Sequence, residues 1–330
     1  MAVTANTNET YDVSTIREDL ASAMASISPT ETVFMSAIGT RNVDNTYFEW
    51  SEVDLAATGA NRQIEGDVGL SNTAPTNAVR KGGYTQISAK VVEVSSTNQA
   101  VNGVANAQTV AKQVAYKLSE LKRDMEAMLL ANVAAAVGSS GTARQTAGLP
   151  AYLTSNVSRG SGGANGTTSG TGESGSVNAA ATDGTLRPIT ETLLKSVIAD
   201  CWNSGATPTI VMCGSAQKQK ISTFTGNATR FKEAEDSKLN AAIDVYISDF
   251  GELQIVPNRH MRVRTVSSVN YTPDVFVLDP NYAEVAYLQT AKQEPLAKTG
   301  LSERRLISCE YGLQVTSQKA HGVVADINAS

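Results

Sequence analysis

The residues best suited to acid–base or metal chemistry are few and scattered along this 330-residue chain. It has two histidines, His260 and His321, and neither belongs to a His-Glu-x-x-His pattern or lies beside a cysteine. A catalytic zinc site or a Ser-His-Asp triad needs a histidine among other reactive groups. We therefore expect no catalytic centre and no metal site, and we expect His260, flanked by Arg259 and Arg262, to lie on a solvated loop.

One segment, Gly214 to Lys218, lies where a phosphate-binding loop would lie, between a predicted strand and a predicted helix. It lacks the second glycine and the Gly-Lys-Ser/Thr ending, so we expect Ser215 to cap the helix and no cofactor to bind there. The three cysteines are widely separated and odd in number, which indicates buried reduced thiols. They are Cys201, Cys213 and Cys309.

The composition indicates an ordered protein with a sizeable core, because 41% of the residues are hydrophobic and 18% are charged. The net charge of −5 gives no basic footprint for general nucleic-acid binding. No apolar run approaches the length needed to span a membrane. Residues 1–10 are polar and lack the apolar region of a signal peptide, so we expect synthesis in the cytoplasm.

The elements that must position any functional surface centre on one long predicted helix, Val104 to Val137. Its apolar residues recur at steps of three and four, which places them on one stripe. These are Val110, Val114, Leu118, Leu121, Met125, Met128, Leu129 and Val133. The other face carries charges that we expect to be solvated or paired with neighbours, namely Lys112, Lys117, Glu120, Lys122, Arg123, Asp124 and Glu126.

Residues 46–94, before this helix, predict two extended arms with an irregular tip, since glycines and Pro75 exclude a continuous helix there. After the helix, residues 188–278 alternate between helical and strand patterns and predict an α/β lobe. Residues 158–185 consist almost only of Gly, Ser, Thr, Ala and Asn, so we expect a mobile surface loop. Composition and spacing thus predict a soluble, oligomeric α/β protein.

Several strings, taken in order, resemble one family. The first part carries Ile38-Gly39, Tyr47-Phe48-Glu49-Trp50, Val53-Asp54-Leu55 and Leu121-Lys122-Arg123-Asp124-Met125-Glu126. The second part carries Asn203-Ser204-Gly205-Ala206-Thr207-Pro208, Tyr246-Ile247-Ser248-Asp249-Phe250-Gly251, Leu278-Asp279-Pro280 and Leu296-Ala297-Lys298-Thr299-Gly300. From about Asp12 to the C-terminus, the chain resembles the major capsid proteins of tailed bacteriophages with the Hong Kong 97-type fold.

The resemblance implies an α+β fold in five parts. These are an N-terminal arm (1–40), an extended loop with the start of a peripheral domain (41–100), a spine helix (101–141), an axial domain (142–288) and the return strands of the peripheral domain (289–330). The axial domain would meet its counterparts at five- and six-fold vertices.

The resemblance also implies a structural function and no enzymatic activity: self-assembly into an icosahedral head around double-stranded DNA, within the virion. Implied partners are copies of the chain in hexamers and pentamers, a portal protein, a separate scaffolding protein, a cement or decoration protein, and DNA bound non-specifically at the inner face. We expect inter-subunit contacts from charged residues on the loop tip, the long helix and a late strand. These are Arg62, Glu65, Asp67, Arg80, Lys81, Lys122, Arg123, Arg304 and Arg305.

Two alternatives stay open at this point. One is an encapsulin-like shell of a cellular compartment, which has the same fold and differs in its contents. The other is a soluble α/β hydrolase, against which the absence of a nucleophile elbow and of a paired histidine argues.

Overall fold

The computed structural model describes residues 28, 30–63, 65–66, 74–101, 109–168, 175–224, 244–261, 264–266, 269–271, 274–298 and 300–328, and for 264–266 and 269–271 it describes the backbone alone. The short helix that the sequence predicts over residues 12–27 lies outside these residues, as does most of the expected N-terminal arm.

Helices and strands are mixed along the described chain. The helices are α1 Val33–Ala37, α2 Ser96–Ala100, α3 Val110–Leu129, α4 Leu149–Tyr152, α5 Glu191–Asn203 and α6 Ser215–Ile221. The strands are β1 Gly39–Asn42, β2 Tyr47–Glu52, β3 Val79–Tyr84, β4 Gln86–Ser95, β5 Val157–Ser158, β6 Thr167–Thr168, β7 Val177–Ala179, β8 Ile210–Cys213, β9 Val245–Ser248, β10 Gly251–Pro257, β11 Arg264–Val266, β12 Val269–Tyr271, β13 Val275–Leu278, β14 Ala283–Pro295, β15 Ser302–Val315 and β16 Gly322–Val324.

Two larger sheets organise the molecule. A four-stranded sheet has the order β1-β14-β15-β4, and a six-stranded sheet has the order β5-β16-β13-β8-β10-β9. Both sheets mix parallel and antiparallel pairs, since β1 runs parallel to β14 and β8 runs parallel to β10. The predicted α+β class is therefore confirmed.

Helix α3 packs its apolar stripe into the main core. Leu121, Met125 and Leu129 are almost completely buried, and Val110 and Val114 pack against the same core from the first turns. The stripe that the spacing predicts is thus confirmed. Burial of such side chains is the main stabilising term of the subunit, at about 1.5–3 kcal/mol for each.

The helix ends earlier than predicted, and residues 104–108 of the predicted helix lie outside the described residues. It begins at Val110 and ends at Leu129, so it has 20 residues and extends about 30 Å. The prediction that it continues to Val137 is wrong because the backbone of residues 133–136 bonds elsewhere. The N–H of Ala136 donates to Gln145, and the N–H of Ala135 donates to Val177. These tertiary hydrogen bonds outweigh a helix propensity that is only a weak local preference.

The second lobe places α5 and α6 against the six-stranded sheet, in a core that includes Leu194, Val197, Ile221 and Leu253. Strand β13 coincides with the strand that the apolar run of residues 275–278 predicts. The expected divisions of the chain fit the two sheets less well. The division at residue 288 falls inside β14, and β16, expected among the peripheral return strands, pairs with β13 of the six-stranded sheet.

The Gly/Ser/Thr segment 158–185 is more structured at its two ends than its composition predicts. Strands β6 and β7 form a small hairpin, and Val177 is completely buried. The carboxylate of Asp326 accepts hydrogen bonds from the backbone N–H groups of Gly160 and Gly184, each at 2.8 Å. The expectation of a mobile loop is wrong for these ends, because their order comes from bonds to a distant residue.

Candidate functional site

The β2–β3 hairpin is the extended arm of the molecule. Its register runs from Tyr47 opposite Tyr84 to Glu52 opposite Val79. Arg80 forms an ion pair with Glu49 across the two strands, and Lys81 forms one with Glu52. The expectation that these two cations lie at the tip is wrong, since both belong to β3.

The tip of the hairpin belongs to the loop between β2 and β3, residues 53–78. Its described residues include Arg62 and Glu65, which are exposed, whereas Asp67 lies outside the described residues. Two apolar side chains of this loop are also exposed, Leu55 by 85% and Val53 by 54%. A loop that presents apolar and charged side chains together is suited to contact another protein.

The charged face of α3 is partly occupied by β4. The Lys90 ammonium of β4 lies 2.6 Å from an Asp124 carboxylate oxygen, and Lys117 pairs with Glu120 at 2.8 Å. The hydrogen bond from Lys117 is the main reason that the pKa of Glu120 is lowered. Lys122 is exposed and Arg123 half-buried on the same helix, so Lys122 faces away from this attachment.

Arg304 and Arg305, on β15, have partners within the chain. Arg304 lies 3.3 Å from Glu93 of β4, and Arg305 lies 2.5 Å from Glu303. The hydrogen bond from Arg305 lowers the pKa of Glu303. The first pair joins two neighbouring strands of the four-stranded sheet, and the second lies along β15. A role of either arginine between subunits stays a prediction.

Glu126 is the polar centre of the core, and its expected position on a solvated face is wrong. Its carboxylate is fully buried and accepts three hydrogen bonds. The donors are the backbone N–H groups of Phe34 at 2.6 Å and Met35 at 2.9 Å, and the side-chain amide of Asn258 at 2.7 Å. One side chain of α3 therefore holds both α1 and the end of β10.

Burial raises the pKa of Glu126, because the charged form loses the hydration it has in water. The hydrogen bonds from Met35, Phe34 and Asn258 act in the opposite direction. One sequence signal pointed to this burial: Leu129, three positions later, is apolar and lies next to Glu126 on the helix.

Both histidines have backbone partners. His260 is 5% exposed, and its Nε2 lies 3.1 Å from the carbonyl oxygen of Glu31, so the predicted solvated loop is wrong. The Nδ1 of His321 accepts from the N–H of Asp279, and its Nε2 lies 3.4 Å from the carbonyl of Tyr282. Burial lowers the pKa of His321 to about 4, so this imidazole is neutral near pH 7.

The cysteines are free and buried, as predicted. Burial raises the pKa of Cys201 and Cys213 to about 12, which keeps both thiols protonated and unreactive. In the part of the chain that the structure describes, no cluster of three or more His, Cys, Asp and Glu side chains is arranged to hold a metal ion. The helices within that part are also too short or too polar to cross a membrane.

The chain is similar to proteins that form viral and virus-like shells. The major capsid protein of Escherichia phage Phieco32 is 30% identical over 148 residues, which cover 44% of this chain and 39% of that protein. The match thus spans about two fifths of the relative's length. A structure from Mycobacterium phage Bobi has a TM-score of 0.61 at 11% identity, covering 96% of this chain and 97% of that one.

Two further structures share the fold. The capsid of a native GTA particle has a TM-score of 0.62 at 11% identity, with 97% and 98% of the two chains covered. The SrpI encapsulin from Synechococcus elongatus PCC 7942 has a TM-score of 0.53 at 10% identity, with 93% and 94% covered. At such identities these likenesses show the fold alone, and they confirm the Hong Kong 97-type architecture.

A match at the level of sequence shows to which family of shell proteins this chain belongs. The family profile described as SU10 major capsid protein matches residues 3–328, which is almost the whole chain. This chain therefore belongs to the SU10 major capsid protein family.

Proposed function

We propose that this chain assembles with copies of itself into the icosahedral head of a tailed phage and encloses its double-stranded DNA. The observation that carries the proposal is the family match over residues 3–328. The β2–β3 hairpin supports it, because its loop presents exposed apolar and charged residues beyond the subunit core.

The exposed charges are the inter-subunit contacts of this proposal. Arg62 and Glu65 on the loop and Lys122 on α3 are exposed in the isolated chain. Each surface pair contributes only about 0–1 kcal/mol. Every copy repeats the pair, so the contributions add over the shell while each contact stays reversible during assembly. The other four cations form ion pairs within their own chain and serve first to hold its strands together. They are Arg80, Lys81, Arg304 and Arg305.

We assign the two sheets different positions in the shell. Helix α3 and the four-stranded sheet form the peripheral domain, and the six-stranded sheet with α5 and α6 forms the axial domain around the vertices. The further partners are a portal protein, a separate scaffolding protein, a cement or decoration protein, and DNA contacted without sequence specificity. The chain is made in the cytoplasm of the bacterial host and ends in the virion.

Electron microscopy of the purified chain, with and without its co-expressed scaffolding protein, tests the proposal. Closed icosahedral particles are the expected result. A chain that stays monomeric under both conditions contradicts the proposal.

The fold shared with the SrpI encapsulin favours one alternative, an encapsulin-like compartment shell. Native particles isolated from the source distinguish the two functions. Double-stranded DNA inside them supports the phage head, and a protein cargo without nucleic acid supports the compartment.

A further inference from the structure

The six-stranded sheet is closed by a strand that comes late in the chain. Strand β16 lies between β5 and β13, with Val323 opposite Val157 and Val324 opposite Val275. Strand β5 is at the edge of this sheet, so among the described strands it is joined to the sheet through β16. A sheet built mostly from residues 210–278 thus depends on residues 322–324 to attach its first strand.

The residues of β16 and those directly after it complete two cores. Val323 and Ala325 belong to the main core, whereas Val324 and Ile327 belong to the core beneath α5 and α6. All four side chains are at most 1% exposed. Both cores therefore remain incomplete until residues 323–327 are in place.

Helix α5 packs directly on the backbone of β16. A Cβ atom at Gly322 would clash with the side chain of Val197 and would lie 2.9 Å from the Cys201 Sγ. Val197 and Cys201 are both buried on this side of the helix. Removal of β16 therefore uncovers the Cys201 thiol, which makes this cysteine a natural reporter of the position of the strand.

The residues that follow β16 hold the two ends of segment 158–185. The carboxylate of Asp326 accepts from the N–H groups of Gly160 and Gly184, which are 166 and 142 positions away in the chain. The Asp326 carbonyl accepts from the N–H of Arg187, and the Arg187 carbonyl accepts from the N–H of Asn328. The order of this segment thus also depends on residues that come much later in the chain.

Synthesis separates these partners in time. A ribosome adds about 5–20 residues per second, so residue 322 follows residue 187 by roughly 7–27 s. Helices and hairpins form within about 10 μs. The earlier elements of the lobe are therefore present long before the strand that closes their sheet.

We propose that residues 322–328 act as a folding gate: the lobe of the six-stranded sheet stays open, with Cys201 and the facing edges of β5 and β13 uncovered, until this segment inserts between the two strands. The four-stranded sheet does not wait for the segment, since its strands β1, β4, β14 and β15 all precede residue 316. Chains that lack the segment therefore present an incomplete lobe and do not join a shell. This last consequence rests on the assembly function proposed above, whereas the folding order does not.

Thiol labelling of the natural cysteines, read by mass spectrometry, tests the gate in the full unassembled chain. Gly322→Val places a side chain against α5 and is expected to speed the labelling of Cys201 at least about tenfold, while Cys309 in the four-stranded sheet stays protected. The matched control is Gly300→Val, where the added Cβ meets no described atom within 4 Å, and it is expected to leave both rates unchanged. Cys201 labelled no faster in Gly322→Val, or all three thiols exposed together, overturns the inference.

Ribosome-arrested chains test the order of folding directly. A flexible linker that spans the ribosome tunnel follows residue 320 in one chain and residue 328 in the other. Cys201 is expected to label rapidly in the first chain and to be protected in the second, whereas Cys309 is protected in both. Protection of Cys201 in the shorter chain overturns the gate. Neither labelling experiment involves particles, so its failure leaves the assembly function standing.

Discussion

The side-chain amide of Asn258 donates to the Glu126 carboxylate at 2.7 Å inside the core, which joins the end of β10 in the six-stranded sheet to the last turn of α3. The two residues are 132 positions apart in the chain. The backbone of His260 in turn donates to the Asn258 side-chain oxygen at 2.8 Å, so Asn258 is fixed on both sides. The shared core of the two sheets thus includes a polar contact within apolar surroundings.

Replacing Glu126 by alanine is expected to lower the free energy of unfolding by about 3 kcal/mol or more. The change leaves two buried donors and one half-buried donor without an acceptor, and each unpaired buried group costs about 1–3 kcal/mol. Thermal and urea unfolding of the unassembled chain measures the effect. The matched control on the same helix is Glu120→Ala, whose loss of half-exposed ion pairs is expected to cost under about 1 kcal/mol. Equal effects of the two changes would contradict the role of Glu126.

His321 is expected to make the subunit less stable in weak acid. Its pKa falls from 6.5 to about 4 on folding, so the unfolded chain binds more protons between these values and stability is lost as the pH falls through 6.5. At pH 5.5 the loss attributable to His321 is about 1 kcal/mol relative to pH 7.5.

The comparison that isolates this effect uses His321→Gln, because a glutamine amide can also accept from Asp279 and donate to Tyr282. Unfolding of both chains at the two pH values is the measurement. The raised pKa of Glu126 has the opposite effect on stability as the pH falls. That effect is the same in both chains, so it cancels in the comparison. An unchanged pH dependence in the variant would show that His321 is not its source.

The two faces of α3 are expected to respond differently to charge. Leu121 is 1% exposed, so Leu121→Asp places a carboxylate in the core and is expected to cost about 4 kcal/mol or more. Lys122→Glu, one residue along, changes an exposed position and is expected to alter stability by less than about 0.5 kcal/mol. Circular dichroism melts measure both, and electron microscopy then shows whether Lys122→Glu changes particle yield, as the proposed inter-subunit role requires.

Charge reversal on the hairpin loop is expected to affect assembly and not folding. Arg62→Glu and Glu65→Lys change exposed residues, so unfolding of the single chain should stay the same while particle yield falls and its salt dependence changes. Arg80→Glu breaks a pair within the hairpin and serves as the contrasting variant. If Arg62→Glu lowered the stability of the unassembled chain as Arg80→Glu does, its partner would lie in its own subunit.

Asp326→Ala is expected to release the ends of segment 158–185. The change removes the acceptor of two backbone N–H groups, those of Gly160 and Gly184. Asp326 also has a positive φ of 57°, which alanine adopts less readily than asparagine or aspartate. Faster hydrogen exchange and new protease cleavage within 158–185 are the expected readouts. Asp326→Asn is expected to exchange at a rate between those of the alanine variant and the natural chain. Unchanged exchange in the alanine variant would mean that other bonds hold the segment.

Local patterns were sufficient for much of the fold. The spacing of three and four placed Leu121, Met125 and Leu129 on one buried stripe, and the apolar run of residues 275–278 predicted β13 at its observed bounds. Both are properties of consecutive residues, because side-chain direction repeats with the period of the helix or the strand. The order of the motifs along the chain carried the family resemblance, which the match over residues 3–328 confirms.

Only the tertiary structure decided the positions that depend on distant residues. Glu126 was expected in solvent because it is charged and lies among charged neighbours, yet Phe34 and Asn258 bury it from opposite ends of the sequence. Arg80 was expected at the free tip of the hairpin, but the pairing of β2 with β3 places it beside Glu49, with which it forms an ion pair. The sequence by itself thus determined the periodic elements and the family, whereas burial and ion-pair partners arose from contacts between segments that no local pattern encodes.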